Sequence, residues 1–311
     1  MQKKLIVILG PTASGKTDLA IRVAKAVDGE VVSADSMQIY REMHIGTARP
    51  LAQEQEGIAH HLLGFVDPDA AYSVACYQKD ALQAIEEIFS RGKQPILAGG
   101  TGLYLNSILY DLDFTQTEPN HALRQKLEEE YQIDPALLHA KLAQLDPAAA
   151  QRIHPNDKKR LVRRLEILED AGREGQQPYE FRKPQNRFQI QQIGITKPRQ
   201  KLYEDIERRV DAMFAQGLEA EVREIFRKYG ANIAAFSAIG YKEFLPYFAG
   251  KATLEETKQL IKQNTRRFAK RQLTWFRREE QIRWFSSEDF ADKEALASAV
   301  ISYIIKGAND E

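Results

Sequence analysis

The sequence predicts an α/β fold, a parallel sheet flanked by helices and interrupted by an all-helical insertion, and three observations predict it. Strand-like and helix-like segments alternate through the first hundred residues, a glycine-rich loop joins the first strand to the first helix, and from about Thr115 the pattern becomes helical only. Lys4 to Leu9 reads as a strand and Asp18 to Val27 as the helix behind the loop. Glu30 to Ser33, Ser73 to Ser90 and Pro95 to Ala98 follow as strand, helix and strand, a βαβα order that calls for parallel pairing. The insertion is expected over 115–186, with breaks at Pro119, Pro135, Pro147, Pro155, Pro178 and Pro184. Arg187 to Ile195 then returns as a strand, Leu202 to Tyr229 resumes helix, and Leu254 to Arg278 reads as a long helix before a short strand at Ile282 to Phe285. The core is thus expected over 1–114 and 187–311.

The loop has the sequence Gly10-Pro11-Thr12-Ala13-Ser14-Gly15-Lys16-Thr17, a P-loop in its proper strand–loop–helix context, so the sheet is expected to be P-loop NTPase-like. Gly10 and Gly15 lack a β-carbon, which lets the loop curl until backbone N–H groups converge on an anion at the positive end of the next helix. Lys16 would reach terminal phosphates as a point charge, and the Thr17 hydroxyl would ligate a Mg²⁺ bridging phosphate oxygens. In such sheets ligands collect at the carboxyl ends of strands, so Gly10 to Thr17, Asp35-Ser36-Met37-Gln38 and Gly99 to Gly102 should share one crevice.

No clean apolar strand ends in a magnesium-binding aspartate; Pro95 to Ala98 runs into Gly99-Gly100-Thr101 instead. Asp35 stands at the end of an early strand, as a metal ligand or as a general base opposite the phosphates. Ser36, Met37 and Gln38 favour the base, since they can hydrogen-bond and pack against an organic acceptor.

The chain has 311 residues, 43% apolar and 28% charged, with zero formal net charge. Attraction to a polyanion must therefore come from local clusters. Lys158 to Arg164 places five positive charges in seven residues, and between Lys262 and Arg283 eight basic residues meet only Glu279 and Glu280. Such density suits a nucleic-acid backbone. On the long helix, Leu254, Ile261, Phe268 and Trp275 recur every seven residues and are expected to face the core. Cys76 is the only cysteine, which excludes an internal disulfide and a cysteine-based metal site. His60-His61 reads as a turn or core pair. No run reaches the roughly 18 to 20 apolar residues of a membrane span and no signal pattern opens the chain, so a cytoplasmic protein is expected.

Together with the P-loop, Ser33-Ala-Asp-Ser-Met-Gln-Ile-Tyr40, Ile45-Gly-Thr-Ala48, Gly99-Gly-Thr-Gly-Leu-Tyr104, Ile153-His-Pro-Asn156 and Ala238-Ile-Gly-Tyr-Lys-Glu243 resemble the tRNA dimethylallyltransferase family of bacterial type. The resemblance runs from Leu5 to about Phe285. It implies that Gly10, Pro11, Thr12, Ala13, Ser14, Gly15, Lys16 and Thr17 hold the diphosphate of dimethylallyl diphosphate with Mg²⁺, and that the acceptor is the exocyclic amine of adenosine 37 in tRNA. Asp35 would take the amine proton, with Lys16 and Thr17 assisting the departing diphosphate. Asp35, Ser36, Met37, Gln38 and Thr101 would read or position the adenine. Lys159, Arg160, Leu161, Val162 and Arg163 would grip the anticodon stem, and Arg124 would add an RNA contact. Arg209 resembles the arginine that reaches the diphosphate, with Arg208 beside it as the alternative.

Glu42, His44 and Arg164 depart from the usual family pattern, and no cysteine-histidine zinc module follows the core. A monomer without membrane association is expected. A small-molecule kinase using ATP is the competing reading, with Asp35 deprotonating a hydroxyl; it gives the basic clusters no role. A nucleotide-gated RNA-binding protein is another, and it leaves Asp35 without a task.

Overall fold

A computed structural model gives the fold and describes residues 3–110, 112, 120–170 and 185–306. The chain divides into two compact units, Met1–Leu109 with Gln185–Glu311, and Tyr110–Pro184. Thr115, Pro119, Pro178 and Pro184, used above to bound and break the insertion, lie outside the described residues.

In the first unit the strands are β1 (Lys3–Leu9), β2 (Gly29–Ala34), β3 (His60–His61), β4 (Gln94–Gly99), β5 (Phe188–Thr196) and β6 (Arg283–Ser286). They form one sheet in the order β3-β2-β4-β1-β5-β6, parallel throughout. Leu9 is in register with both Gly99 and Gly194, and Ala34 with Gly99, so the turns that follow β1, β2 and β4 leave from one edge. The histidine pair forms an edge strand against Val31 and Val32, where His61 Nε2 meets the buried Glu30 carboxylate at 2.7 Å.

Both faces of β1 are covered, which explains its unbroken apolar run. Ile6 and Ile8 pack with Leu19, Ala20 and Val23 of α1 (Lys16–Ala26) and with Val300 and Ile304 of a carboxyl-terminal helix, Lys293–Lys306. That last helix was missed because its apolar residues spread round its circumference instead of marking one stripe. Helix α2 (Val74–Ser90) starts on Ser73, whose hydroxyl accepts from the Cys76 N–H, and buries Tyr77, Ala81, Ile85 and Ile88. Helix α3 (Gly102–Leu109) follows β4.

The second unit contains α4 (His121–Ile133), α5 (Pro135–Leu145), α6 (Pro147–Arg152) and α7 (Lys158–Asp170). Pro135 and Pro147 open helices rather than merely break them, each behind an aspartate, Asp134 or Asp146, that caps the first-turn N–H groups. Leu127, Leu138, Leu142, Ile153, Leu161 and Leu165 form its core.

Back in the first unit, the helical stretch expected over Leu202 to Tyr229 consists of two helices, α8 (Arg199–Ala215) and α9 (Leu218–Tyr229). Gly217 between them has φ +97°, a left-handed conformation that ends one helix and lets the chain turn. Then come α10 (Phe244–Phe248), α11 (Leu254–Phe276) with a Thr253/Glu256 capping box, and the terminal α12 (Lys293–Lys306). The heptad stripe expected on α11 is only partly the buried one. Leu254 is 39% exposed, whereas Thr257, Ile261, Ala269, Gln272 and Phe276 are buried, because an α-helix drifts from a strict seven-residue repeat.

Glu221 on α9 fixes the segment behind β2. Its carboxylate accepts from the backbone N–H groups of His44 (2.9 Å), Ile45 (2.7 Å) and Gly46 (3.0 Å) and from the Tyr241 hydroxyl (2.6 Å). Gly46 is required there, since a β-carbon would lie 2.5 Å from the Tyr241 ring. Glu221→Ala is expected to lower stability by about 3 kcal/mol, by stranding those donors. Urea unfolding measures it; a loss below about 0.5 kcal/mol would assign the segment's support elsewhere.

Candidate active site

The P-loop closes round the amino end of α1. Gly15, its N-cap, has φ +94°, and Ala13 is also left-handed at φ +63°. Packing against Leu202, Ile206 and Ala269 holds Ala13 in that unfavourable conformation. Gly10 permits the close approach beneath: a β-carbon there would stand 2.6 Å from the Ile195 carbonyl of β5 and 2.9 Å from Ser14 Oγ. Ser14 Oγ is buried without a hydrogen-bond partner among the described residues. The first-turn N–H groups of α1 have no acceptor within the helix.

Lys16 Nζ donates to the Pro11 carbonyl at 3.3 Å. Desolvation lowers its pKa to about 8; Asp35 pulls it back up and Arg209 pushes it down. These three charges, from the P-loop, the turn after β2 and α8, therefore share one region. Arg209 is itself lowered by burial and partly restored by Asp205 and Asp35, and makes no hydrogen bond or ion pair among the described residues. Arg208 is exposed and pairs with Asp205. Of the two arginines, it is Arg209 whose charge acts on Lys16 and interacts with Asp35.

Asp35 Oδ1 accepts from the Met37 N–H at 2.9 Å, which shapes the turn. Thr101 ties this turn to the one after β4: its Oγ1 accepts from Ser36 N–H at 3.0 Å, and its own N–H donates to Ala34 O at 3.1 Å. Gly99 lies so tightly on Ala34 that a β-carbon would approach its carbonyl oxygen to 2.2 Å. Gln38 is less available than its sequence position suggests. Its Nε2 donates to Thr47 O (3.1 Å) and Ala48 O (3.3 Å), and its Oε1 accepts from Ser33 Oγ at 3.5 Å. It supports the loop more than it offers a free amide. Tyr77 and Tyr104 stack at 3.8 Å beside this turn; burial, with Asp35 nearby, pushes both phenols up.

Sequence reasoning missed Gln272. From α11 its Oε1 accepts from the Thr12 N–H and its Nε2 donates to the Gly100 carbonyl, both at 2.8 Å. Nothing in its spacing marked it, because a glutamine inside a basic stretch looks solvated.

Thr17 is exposed at the first turn of α1 and makes no hydrogen bond among the described residues, so its hydroxyl is free to ligate. No cluster of three or more His, Cys, Asp or Glu suited to a metal occurs among the described residues. That donor set fits Mg²⁺ held by one protein hydroxyl together with phosphate oxygens and water, and no dedicated protein cage.

The basic residues are less free than their count suggests. In the helical unit Lys158 pairs with Glu128 (2.8 Å), Arg160 with Asp157 (3.4 Å), and Arg164 with Asp146. Arg124 (2.8 Å) and Arg163 (2.9 Å) both hold Glu166. Burial would raise the Glu166 carboxyl, but these two guanidiniums outweigh it and keep it below the usual range. Only Lys159 of the seven-residue run is exposed with no ion pair among the described residues. Leu161 and Val162, expected among the RNA contacts, are 0% and 3% exposed in the core of the unit, so their side chains cannot face RNA. On α11, Lys262 is buried against Asp211 (2.8 Å) and Arg266 pairs with Glu207 (2.5 Å), leaving Arg267, Lys270 and Arg271 outward. Of the departures from the family pattern, Glu42 accepts from Lys228 and from Tyr229 Oη, and His44 contacts Arg49.

A glycine loop capping a helix on a parallel sheet, with a lysine, an arginine and a carboxylate gathered at its mouth, defines a P-loop NTPase-like α/β protein with an acidic subsite. The sequence model of the IPP transferase family matches residues 38–279. The chain belongs to this family. It is 46% identical over 304 residues to a tRNA dimethylallyltransferase of Alkaliphilus oremlandii, covering 97% of each chain. It is 42% identical to that of Bacillus subtilis, again covering 97% of each. Among solved structures, the tRNA isopentenylpyrophosphate transferase of Bacillus halodurans superposes with TM-score 0.75 at 38% identity, over 99% of this chain and 98% of that one. A eukaryotic dimethylallyltransferase acting on tRNA gives TM-score 0.80 at 31% identity, over 92% of this chain and 74% of that one.

Proposed function

We propose that this chain transfers a dimethylallyl group from dimethylallyl diphosphate to the exocyclic amine of adenosine 37 in tRNA, releasing diphosphate, and that it works in the cytoplasm. The observation that carries this reading is the gathering of Lys16, Arg209 and Asp35 at one mouth: two cations suited to a leaving diphosphate beside one carboxylate suited to a proton. The names of the relatives support it, and none of those cited supports the kinase reading. Thr17 would hold Mg²⁺, which when bound supplies charge stabilisation to the diphosphate oxygens. Thr101 and the Asp35 turn would position the adenine, which must leave its stack to enter.

The test is to incubate the protein with Mg²⁺, radiolabelled dimethylallyl diphosphate and unmodified tRNA bearing adenosine beside the anticodon. Label at that adenosine is expected. No label, together with phosphate transfer from ATP to a small acceptor, would replace this reading with the kinase.

For the RNA grip, Lys159 and Arg160 are the exposed candidates of the helical unit, with Arg267, Lys270 and Arg271 on α11. Lys159→Ala with Arg160→Ala is expected to weaken tRNA binding and reduce the slope of log K against log salt by up to about 2. An unchanged slope in a filter-binding titration would remove α7 from the grip. Arg163 is left intact in this variant because removing it would take one of the two guanidiniums from the buried Glu166.

A further inference from the structure

Three contacts from one face of α11 reach the turns of the candidate site. Ala269 packs on Ala13, Gln272 bridges Thr12 and Gly100, and the Trp275 ring lies where a β-carbon on Gly102 would approach it to 2.5 Å. Only the second is directional. Gln272 is 6% exposed and its amide orientation is fixed by chemistry, since Thr12 offers an N–H and Gly100 a carbonyl. Gly100 makes room for it: a β-carbon there would stand 2.3 Å from Nε2. Asparagine would fall short by a methylene, and an ionised glutamate would set negative charge against the Gly100 carbonyl.

We infer that Gln272 is a positioning residue that locks the phosphate loop to the Gly99–Thr101 turn, fixing the distance between the leaving diphosphate and the acceptor amine. This rests on the proposed transferase reading. One turn carries the groups that hold the leaving group, and the other carries Thr101, which orients the Asp35 turn. In-line displacement is sensitive to that separation, and a misplacement of about 1 Å can cost about a hundredfold in rate. The same helix turns Arg267, Lys270 and Arg271 outward, so RNA held on that surface would be held on the element that sets this spacing.

Gln272→Leu keeps the shape and removes both hydrogen bonds. Amide hydrogen exchange at Thr12 is expected to quicken about tenfold and the affinity for inorganic diphosphate with Mg²⁺ to fall about tenfold. Single-turnover transfer should fall further than binding does, about a hundredfold. Gln272→Glu gives a readout that a purely structural role would not move. Its protonated carboxyl offers one donor and one acceptor, as glutamine does, so its diphosphate affinity relative to wild type should recover on acidification towards pH 5. If Gln272→Leu fails to fold, the isosteric Gln272→Glu carries the test alone. Unchanged Thr12 exchange and unchanged diphosphate affinity in a folded variant would overturn the inference. Wild-type protein that binds no diphosphate would refute the transferase reading instead, and Thr12 exchange would then decide the role of Gln272 by itself.

Discussion

Asp35→Asn is expected to lower single-turnover transfer by about 10² to 10⁴-fold while leaving tRNA and diphosphate affinities nearly unchanged. The amide can still accept from the Met37 N–H, as Asp35 Oδ1 does at 2.9 Å, so the turn keeps its shape and only the basic oxygen is lost. In the proposed reaction the allylic C–O bond breaks with its electron pair leaving on the diphosphate, the C–N bond forms, and the amine proton passes to Asp35. An aromatic exocyclic amine is a weak nucleophile, so the proton must leave as the new bond grows. Rapid-quench measurement on a preformed complex separates this step from binding. A rate within about threefold of wild type would remove Asp35 as the base and return it to the role of a turn former.

Lys16→Met should cost about 10² to 10³-fold in kcat/KM for the allylic diphosphate and should also change how binding depends on pH. The lysine is desolvated, with a pKa of about 8, so near that pH half of the free protein carries it uncharged. A bound diphosphate favours the ammonium form. Binding therefore takes up a proton, and affinity should fall as pH rises from about 8, by up to tenfold per pH unit. Titration calorimetry in buffers of different ionisation enthalpy reads the uptake, which should vanish in Lys16→Met. Stability has the opposite sign. The folded-state pKa lies below the unfolded value, so the unfolded chain binds more protons between about pH 8 and 10.5, and stability rises with pH across that window. Below it the desolvated charge is a full penalty, and Lys16→Met should be the more stable protein at neutral pH. A variant with wild-type pH dependence of binding would show that the titrating group is another one.

What the sequence disclosed was whatever is written in local spacing. The glycines of the P-loop, the Asp35 turn and Gly99 to Thr101 are legible because each forces backbone geometry within a few residues, and the βαβ order brings them to one sheet edge. Long-range partners are a different matter. Gln272, Glu221 and Glu166 act on residues far away in the chain, and no periodicity announces such pairings. Charge counting failed largely for the same reason: Asp157 and Glu166 are local to α7, but Glu128, Asp146, Glu207 and Asp211, which pair with the other bases of α7 and α11, lie on other helices or their caps. Leu161 and Val162 differ, since the signal was present. With Leu165 they fall at helical spacing on one face, and treating Lys159 to Arg163 as a continuous run overrode that pattern.

The floor of the phosphate loop is the Ile195 carbonyl of β5, and its flank is packed by Leu202, Ile206 and Ala269. The glycine loop precedes the helical unit in the chain, whereas these supports follow it, so during synthesis they emerge only after that unit has been made. A nascent chain paused within that unit holds β1 with β4 available on one side and nothing to pair on the other. The anion nest is therefore completed only after β5, α8 and α11 have followed the helical unit, and capture of a phosphorylated ligand reports a chain made past Ala269.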